Sequence, residues 1–254
     1  MTPIERLSIE LTNRCGKGCA FCYNASRPAG ETRWTPDEVV GLVRDCAAHG
    51  TRAVSFGGGE PLQYPGLFEV LERLRGVLGR AVTTNGLLLR GELLDRLVAA
   101  APDKVHVSIH APGDEAEVTR VVEQVVDLAA RGVPSGVNLL VGRSTLAAST
   151  SAAGRLRAAG LGPERVVYLP MRGADTPTAD EVGQVAGSAR FQGPTCLLAC
   201  GKSPRFAALS WDRAAAWCSY TTTRRTLEAL TWDGLLAALD GLGLAFCGEA
   251  SRAA

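Results

Sequence analysis

The stretch RLSIELTNRCGKGCAFC (residues 6–22) joins a strand-like run to three closely spaced cysteines. Arg6–Leu11 reads as a β-strand, and Cys15, Cys19 and Cys22 follow it at the spacing Cys-x3-Cys-x2-Cys. Cysteines so closely spaced on one loop are better explained as metal ligands than as disulfides. Three thiolates are one fewer than the four that usually hold a cubane iron–sulfur cluster, which leaves one iron open to a small molecule. The stretch therefore predicts a reactive cluster directly after the first strand.

Short strand-like runs alternate with helical ones along most of the chain. We predict six strands, at Arg6–Leu11, Ala53–Phe56, Ala81–Thr84, Lys104–Ile109, Gly136–Val141 and Arg165–Leu169. Helices are predicted after them at residues 35–49, 66–79, 91–100, 114–131, 145–159 and 179–190. Six βα units in succession indicate an α/β fold with a parallel sheet and helices outside it. Periodicity alone leaves open whether the sheet is flat or curved into a barrel.

Residues that could bind a ligand or take part in catalysis lie where these strands end. The cysteines follow strand one, Gly57-Gly58-Gly59-Glu60 follows strand two, and Thr84-Asn85-Gly86 follows strand three. Ser108 and His110 end strand four. Parallel sheets of either form bind ligands at the carboxyl ends of their strands. The shared placement predicts one site.

The composition of the chain limits the classes of binding partner that we expect. Lys and Arg number 27 against 26 Asp and Glu, so the net charge of +1 gives no argument for nucleic acid. No apolar run approaches the roughly 20 residues of a membrane span, and the first residues lack the apolar core of a signal peptide. We therefore expect a cytoplasmic protein with no nucleic-acid or membrane partner.

The pattern changes after about residue 190, where four further cysteines occur, Cys196, Cys200, Cys218 and Cys247. Phe206–Trp211 and Ala214–Cys218 are predicted to form a hairpin around a two-residue turn, Asp212-Arg213. Thr226–Leu239 is predicted to be helical. We accordingly expect a core domain at residues 1–190 and a smaller segment at residues 191–254.

The cysteine spacing, the Gly58-Gly59-Glu60 run and the six βα units together resemble the radical S-adenosylmethionine (SAM) superfamily, over roughly residues 4–175. The resemblance implies a partial (β/α)6 barrel in which Cys15, Cys19 and Cys22 hold a 4Fe–4S cluster. SAM would chelate the open iron. One electron, from a donor such as flavodoxin or ferredoxin, would cleave SAM to methionine and a 5′-deoxyadenosyl radical that abstracts hydrogen from the substrate. The alternative, a structural zinc loop, would want a fourth ligand nearby.

The same resemblance suggests residues that bind SAM. Phe21 matches the aromatic position that borders the adenine, and the Gly58 and Gly59 backbones would approach the methionine moiety. Glu60 would either bind the SAM ammonium or hold its loop. Three later positions match further SAM contacts, namely Ser108, Asn138 and Met171.

Two side chains are candidates for direct substrate contact. His106, Ser108 and His110 alternate along strand four and face one way, which would place His110 nearest the barrel mouth. His110 could instead be a packed or solvated histidine. Glu10 on strand one could bind a substrate amine or simply order the cysteine loop. Cys46, within the first helix, reads as a small core residue.

The segment at residues 195–218 resembles the start of the SPASM and twitch modules, which carry auxiliary clusters in some radical SAM enzymes. The resemblance implies a second 4Fe–4S cluster held by Cys196, Cys200, Cys218 and Cys247. Arg213 replaces the usual turn glycine, and only Cys247 follows the hairpin, which favours the smaller twitch type. A structural zinc site and plain buried thiols are the alternatives.

A second cluster suggests an oxidised product, because a substrate radical that loses one more electron ends by dehydrogenation or cross-linking. The first functional hypothesis is therefore an oxidoreductase that tailors a small molecule or peptide in specialised metabolism. The second is a maturase of a ribosomal peptide, which would need a separate leader-binding protein because 14 residues precede Cys15. A glycyl-radical activating enzyme is the third, and an iron–sulfur sensor or zinc-stabilised binding module is the non-enzymatic alternative.

Overall fold

The structure is a computed structural model of the chain, and it describes residues 4–187, 196–197 and 203–244. The chain packs as two compact units. The first contains residues 4–104 together with 203–244, and the second contains the described residues between 105 and 197. The domain boundary predicted near residue 190 falls outside the described residues and stays a prediction.

The first unit is built on a parallel sheet with an antiparallel extension. Strands β1 (Arg6–Thr12), β2 (Ala53–Gly58) and β3 (Gly79–Thr84) pair in parallel in chain order. The helices between and after them are α1 (Pro36–Ala48), α2 (Leu67–Arg73) and α3 (Gly91–Ala100). On its other edge β1 pairs in parallel with a late strand, β7 (Phe206–Leu209). This pairing brings the C-terminal segment beside the strand that leads into the cysteines.

The second unit repeats the βα pattern. It contains β4 (Lys104–Ile109), β5 (Ser135–Val141) and β6 (Val166–Pro170), which pair in parallel, with helices α4 (Glu115–Ala130), α5 (Leu146–Ala158) and α6 (Ala179–Val185). Gly136 pairs with His106 across the strands, and a Cβ at Gly136 would lie 2.9 Å from the His106 ring. Glycine at this position therefore leaves room for the histidine.

The predicted α/β class is confirmed, with six strands that are each followed by a helix. Most bounds agree with the prediction to within one or two residues. Helix α2 is shorter than predicted because Leu74 ends it and Gly76 adopts a left-handed φ of 73°. Helix α6 ends at Val185, before the predicted residue 190.

The last helix begins later than predicted. Helix α7 spans Trp232–Leu239, and the Thr231 hydroxyl caps it by accepting from the Gly234 N–H at 3.1 Å. Residues Arg225–Thr226 instead form β9, which pairs with β8 (Ala214–Ala216). The predicted helix is therefore wrong over its first six residues, 226–231, and strand pairing takes Thr226.

The predicted hairpin is present, but its turn is not the predicted one. The Ser210 N–H donates to the Ala214 carbonyl at 2.9 Å, which leaves a three-residue loop of Trp211, Asp212 and Arg213. Arg213 has a φ of 69°, the left-handed conformation that such loops require at their third position. Its guanidinium pairs with Glu38 at 2.7 Å and lies over the Trp34 ring. These contacts explain why an arginine occupies a position that favours glycine.

Candidate functional site

The cysteines lie on a loop whose base is closed by backbone hydrogen bonds. This cysteine loop (residues 13–31) begins where the Asn13 N–H donates to the Glu31 carbonyl at 3.0 Å. The Cys15 N–H donates to Arg27 at 2.9 Å, and the Arg27 N–H donates back to Asn13 at 3.0 Å. A Cβ on Gly30 would lie 2.4 Å from the Arg14 nitrogen, so the two sides of the base approach closely. The base therefore fixes the first cysteine in place.

The three thiols differ in exposure and in neighbours. Cys15 is buried, whereas Cys19 and Cys22 are half-buried. The Asn85 amide, at the end of β3, donates to the Cys15 sulfur at 3.5 Å. Hydrogen bonds to ligand sulfurs tune the potential of an iron–sulfur cluster. Asn85 is thus placed to act on the innermost candidate ligand.

Beside this loop the Gly58-Gly59-Glu60 turn approaches the backbone of β1. Gly58 has a φ of 107°, and a Cβ there would lie 2.5 Å from the Thr12 carbonyl oxygen. A Cβ on Gly59 would lie 2.2 Å from the Arg14 carbonyl oxygen. The Gly59 N–H donates to Thr12 at 2.6 Å. The turn is therefore held against the entry of the cysteine loop, where a side chain at either glycine would force it away.

Glu60 is 1% exposed, and both its carboxylate oxygens are engaged. It accepts hydrogen bonds from the Leu62 N–H at 3.1 Å, the Thr84 hydroxyl at 2.7 Å and the Asn85 N–H at 2.9 Å. Burial raises the pKa of Glu60, and these three donors oppose the rise. Of its two predicted roles, the geometry favours holding the loop, and the carboxylate also fixes Asn85.

Glu10, on β1, is likewise 1% exposed. Its Oε1 lies 3.3 Å from the Arg224 guanidinium, and its Oε2 accepts from the Asn24 amide at 2.9 Å in the amide orientation that satisfies all its neighbours. Burial raises the pKa of Glu10 to about 7, against the lowering effect of Arg224. These contacts favour the predicted role of ordering the cysteine loop, and its substrate contact stays a prediction.

Two aromatic side chains of the cysteine loop are exposed. Phe21 is 44% exposed and Tyr23 is 45% exposed. The Tyr23 ring packs on Tyr220, with ring centroids 4.7 Å apart. An exposed Phe21 ring beside Cys22 is consistent with the predicted adenine contact, which stays a prediction.

The remaining predicted SAM and substrate residues lie in the second unit. Ser108 and Asn138 are register partners on β4 and β5, so they lie side by side on one face. The His110 N–H, just after β4, donates to Glu117 at 2.6 Å. The Met171 N–H donates to the Val141 carbonyl at 2.8 Å and extends the pairing of β6. Their assigned roles stay predictions.

Two of the four C-terminal cysteines can be placed. Cys218 follows β8 and is half-buried, and Cys196 accepts a hydrogen bond from the Arg172 guanidinium at 3.1 Å. Both are free thiols, whereas Cys200 and Cys247 lie outside the described residues. Within residues 4–187, 196–197 and 203–244, no three His, Cys, Asp or Glu side chains surround a single metal-ion position. In a cubane cluster each thiolate binds its own iron, so its ligands need not converge on one point.

Sequence reasoning missed the roles of Asn24, Asn85 and Arg224. Asn85 had a signal, since Thr84-Asn85-Gly86 follows a strand in the same way as the other motifs. Arg224 had none, because 214 residues separate it from Glu10 in the chain.

Among the helices that the structure describes, none has the length and apolar character to cross a bilayer.

Comparison with known proteins identifies the family of this chain. The family model of the radical SAM superfamily matches residues 9–171. A probable GTP 3',8-cyclase of Methanocella arvoryzae is 37% identical over 106 residues, which cover 42% of this chain and 34% of that protein. The GTP 3',8-cyclase of Aquifex aeolicus is 33% identical over 120 residues, 44% of this chain and 37% of that protein. The chain thus spans about a third of the length of these curated relatives.

Solved structures support the fold. Streptococcus suis SuiB bound to its precursor peptide SuiA aligns with a TM-score of 0.70 at 12% identity, over 92% of this chain and 65% of SuiB. Native anSMEcpe with bound AdoMet and the Cp18Cys peptide aligns with a TM-score of 0.65 at 14% identity, over 91% of this chain and 79% of anSMEcpe. Identities this low show the fold alone, and the predicted partial barrel is confirmed. Because the family model covers more than half of the sequence, the chain belongs to the radical SAM superfamily.

Proposed function

We propose that this radical SAM enzyme abstracts hydrogen from a small-molecule or peptide substrate and oxidises it, by dehydrogenation or cross-linking, with a second iron–sulfur cluster as electron acceptor. The observation that carries the proposal is the joined cysteine loop and glycine turn. Glu60 holds Asn85, Asn85 donates to Cys15, and the two glycines press against the start of the same loop. One set of hydrogen bonds therefore positions both halves of the site.

The residues present fit the cofactors that the family uses. Cys15, Cys19 and Cys22 supply a three-thiolate donor set, and Gly58 and Gly59 let the turn pack against the Thr12 and Arg14 backbone at the entry of the same loop, where a Cβ would force it away. These cysteines would hold a 4Fe–4S cluster, and the glycine backbone would receive the methionine end of SAM. When bound, the pair supplies a 5′-deoxyadenosyl radical that removes a hydrogen atom from the substrate.

The protein's own contribution is position and insulation. The buried Glu60 carboxylate accepts from the Thr84 hydroxyl and the Asn85 backbone N–H, and so fixes the glycine turn against the end of β3. The closed base of the cysteine loop keeps Cys15 buried. A site this ordered before ligands bind lowers the cost of arranging them for reaction.

The oxidative outcome rests on the C-terminal cysteines. Hydrogen abstraction followed by loss of one electron and one proton would give an oxidised product. A second cluster, which Cys196, Cys200, Cys218 and Cys247 would hold, would accept that electron. Cys196 supports this because the Arg172 guanidinium donates to its sulfur, and hydrogen bonds to ligand sulfurs tune the potential of a cluster. Flavodoxin or ferredoxin would supply the electron that starts each cycle.

A nucleotide is the second candidate substrate. The curated relatives are named GTP 3',8-cyclases and reach 37% identity, although over only 34% of that relative's length. The solved structures of SuiB and anSMEcpe contain peptides, and we therefore retain a peptide maturase as a candidate function. Substrate class is therefore tested with three arms, namely GTP, cysteine-containing peptides and sugar or cyclitol alcohols.

The experiment is 5′-deoxyadenosine formation after anaerobic reconstitution with iron and sulfide. The wild-type protein should release 5′-deoxyadenosine from SAM under reducing conditions, and the correct substrate arm should increase it. Cys19→Ala should abolish the release because it removes one of three cluster ligands. Cys46→Ala, a buried cysteine within α1, is the matched control and should retain it. Absence of 5′-deoxyadenosine from fully reconstituted wild-type protein would refute the proposal.

A further inference from the structure

Arg224 connects the C-terminal segment to the first strand of the core. Its Nη2 lies 3.3 Å from Glu10 Oε1 and also donates to the Ser219 carbonyl at 2.6 Å. Its Nε donates to the Thr221 carbonyl at 3.2 Å. The guanidinium thus fixes the conformation of residues 217–224, here named the C-terminal loop, and fastens that loop to β1.

Glu10 continues the connection towards the glycine turn. In the Asn24 amide orientation that satisfies its neighbours, the second Glu10 oxygen accepts from the Asn24 nitrogen at 2.9 Å. The Asn24 oxygen then accepts at 3.3 Å from the Gly59 N–H, which it shares with the Thr12 carbonyl at 2.6 Å. Arg224, Glu10, Asn24 and Gly59 therefore form one hydrogen-bonded series. It begins in the C-terminal loop and ends at the backbone to which the proposed function assigns SAM.

A second contact joins the same two loops. Tyr220 of the C-terminal loop and Tyr23 of the cysteine loop pack with ring centroids 4.7 Å apart at an angle of 58°. Tyr23 directly precedes Asn24, and Tyr220 lies within the segment that Arg224 fixes. The aromatic pair and the polar series thus hold the two loops in one relative position.

The charges of Arg224 and Glu10 depend on each other. Glu10 is 1% exposed, so water cannot replace the guanidinium, and Asp212 is the neighbouring carboxylate that opposes its ionisation. Arg224 Nη1 is buried and has no acceptor in the part of the chain that the structure describes. Removing one member of a buried pair leaves the other charge uncompensated. The pair therefore acts as a unit.

We propose that Glu10 and Arg224 are positioning residues through which the C-terminal loop sets the affinity of the glycine turn for SAM. The inference rests on the proposed function only in taking Gly58 and Gly59 as the SAM site. The two residues act on the glycine turn through Asn24. The C-terminal loop is thereby a determinant of cofactor binding as well as a carrier of Cys218.

The test measures the SAM dissociation constant of the reconstituted holoprotein for Arg224→Gln, Glu10→Gln and the double variant. Each single variant should weaken SAM binding by about tenfold, because a charge-assisted contact behind the glycine turn is lost. The double variant should bind like either single one, since both break the same series. Arg224→Lys should recover part of the affinity. Arg225→Gln is the matched control, because that neighbouring arginine donates to the Ala237 and Asp240 carbonyls, away from Glu10.

Two further measurements separate positioning from general damage. Iron content should stay at the wild-type level in every variant, while the change that SAM causes in the electron paramagnetic resonance spectrum of the reduced cluster should weaken. If Arg224→Gln fails to fold, Asn24→Ala interrupts the series from the half-exposed side and should weaken SAM binding similarly. Wild-type affinity in Arg224→Gln and Asn24→Ala, or single effects that multiply in the double variant, would overturn this inference alone. A wild-type protein that binds no SAM would overturn the proposed function with it.

Discussion

Two buried carboxylates near the cysteine loop are satisfied in different ways. Glu60 accepts from two backbone N–H groups and one hydroxyl, all neutral donors. Glu10 relies on one guanidinium and one side-chain amide. Neutral donors satisfy a carboxylate without an opposite charge. In an ion pair, protonation of the carboxylate removes its attraction to the guanidinium. Glu10 is therefore a residue whose protonation would remove an ion pair beside the cysteine loop.

Glu10→Gln should change how stability depends on pH. Burial raises the pKa of Glu10 from 4.5 to about 7, so the folded chain binds this proton more tightly than the unfolded chain. Wild-type stability should therefore decrease as pH rises between those values, by about 3 kcal/mol from this group. Glutamine has no proton to lose, so the free energy of unfolding of the variant should lack this decrease. Relative to the wild type it should therefore rise over that window, and the two curves should run parallel above pH 8.

Urea unfolding of the metal-free chain at several pH values measures this difference. Glu69→Gln is the matched control, because Glu69 is an exposed carboxylate of α2 paired with Arg73. Exposed pairs contribute about 0–1 kcal/mol, so its difference from wild type should hardly vary with pH. A Glu10→Gln curve parallel to wild type from pH 5 to pH 8 would contradict the assigned burial.

At the level of elements, the sequence predicted what local periodicity encodes. Strand β4 and helix α3 have the predicted bounds, because the apolar period of each lies within its own local sequence. The failures involve distant residues. Thr226 pairs with Ala214 rather than starting a helix, and β7 pairs in parallel with β1 across about 200 residues. No local pattern can encode such partners.

The residues of the candidate site likewise divide into those that local sequence identifies and those whose roles depend on distant residues. The cysteines, the glycine run and Glu60 lie in short motifs, so sequence reasoning could identify them. It could not choose between the two roles of Glu60, because that choice depends on Thr84 and Asn85 of another strand. The partners of Glu10 could not be predicted from the sequence for the same reason.

The glycine turn gives a prediction at the scale of elements. Gly59→Ala should lower the free energy of unfolding by about 3 kcal/mol, because its Cβ would meet the Arg14 carbonyl at 2.2 Å and backbone must move. SAM binding should weaken with it. Gly41→Ala, an exposed glycine within α1 whose Cβ would meet nothing within 4 Å, should instead gain about 0.5–1 kcal/mol. Chemical denaturation distinguishes the two. Equal stability of both variants would show that the turn does not press on β1.

At the scale of the whole molecule, contacts within the first unit join the β1–α1 region to residues 203–244. The Trp34 indole donates to the Ser210 carbonyl at 2.9 Å across 176 residues, and Arg205 pairs with Glu5 at 2.5 Å. Together with Arg224 and Glu10, these contacts make the C-terminal segment an integral part of the unit that carries the cysteine loop. A change near Cys218 can therefore affect SAM binding through packing, independently of any second cluster.

Iron content separates these two effects. If the C-terminal cysteines hold a second cluster, reconstituted wild-type protein should contain about eight irons per chain. Cys218→Ala should reduce this to about four, because one missing thiolate opens the second cluster while Cys15, Cys19 and Cys22 keep the first. It should still release 5′-deoxyadenosine from SAM yet form no oxidised product. Cys46→Ala should keep the wild-type iron content, since that thiol is buried within α1. About four irons in the wild type, unchanged in Cys218→Ala, would remove the second cluster and leave the C-terminal loop with its positioning role alone.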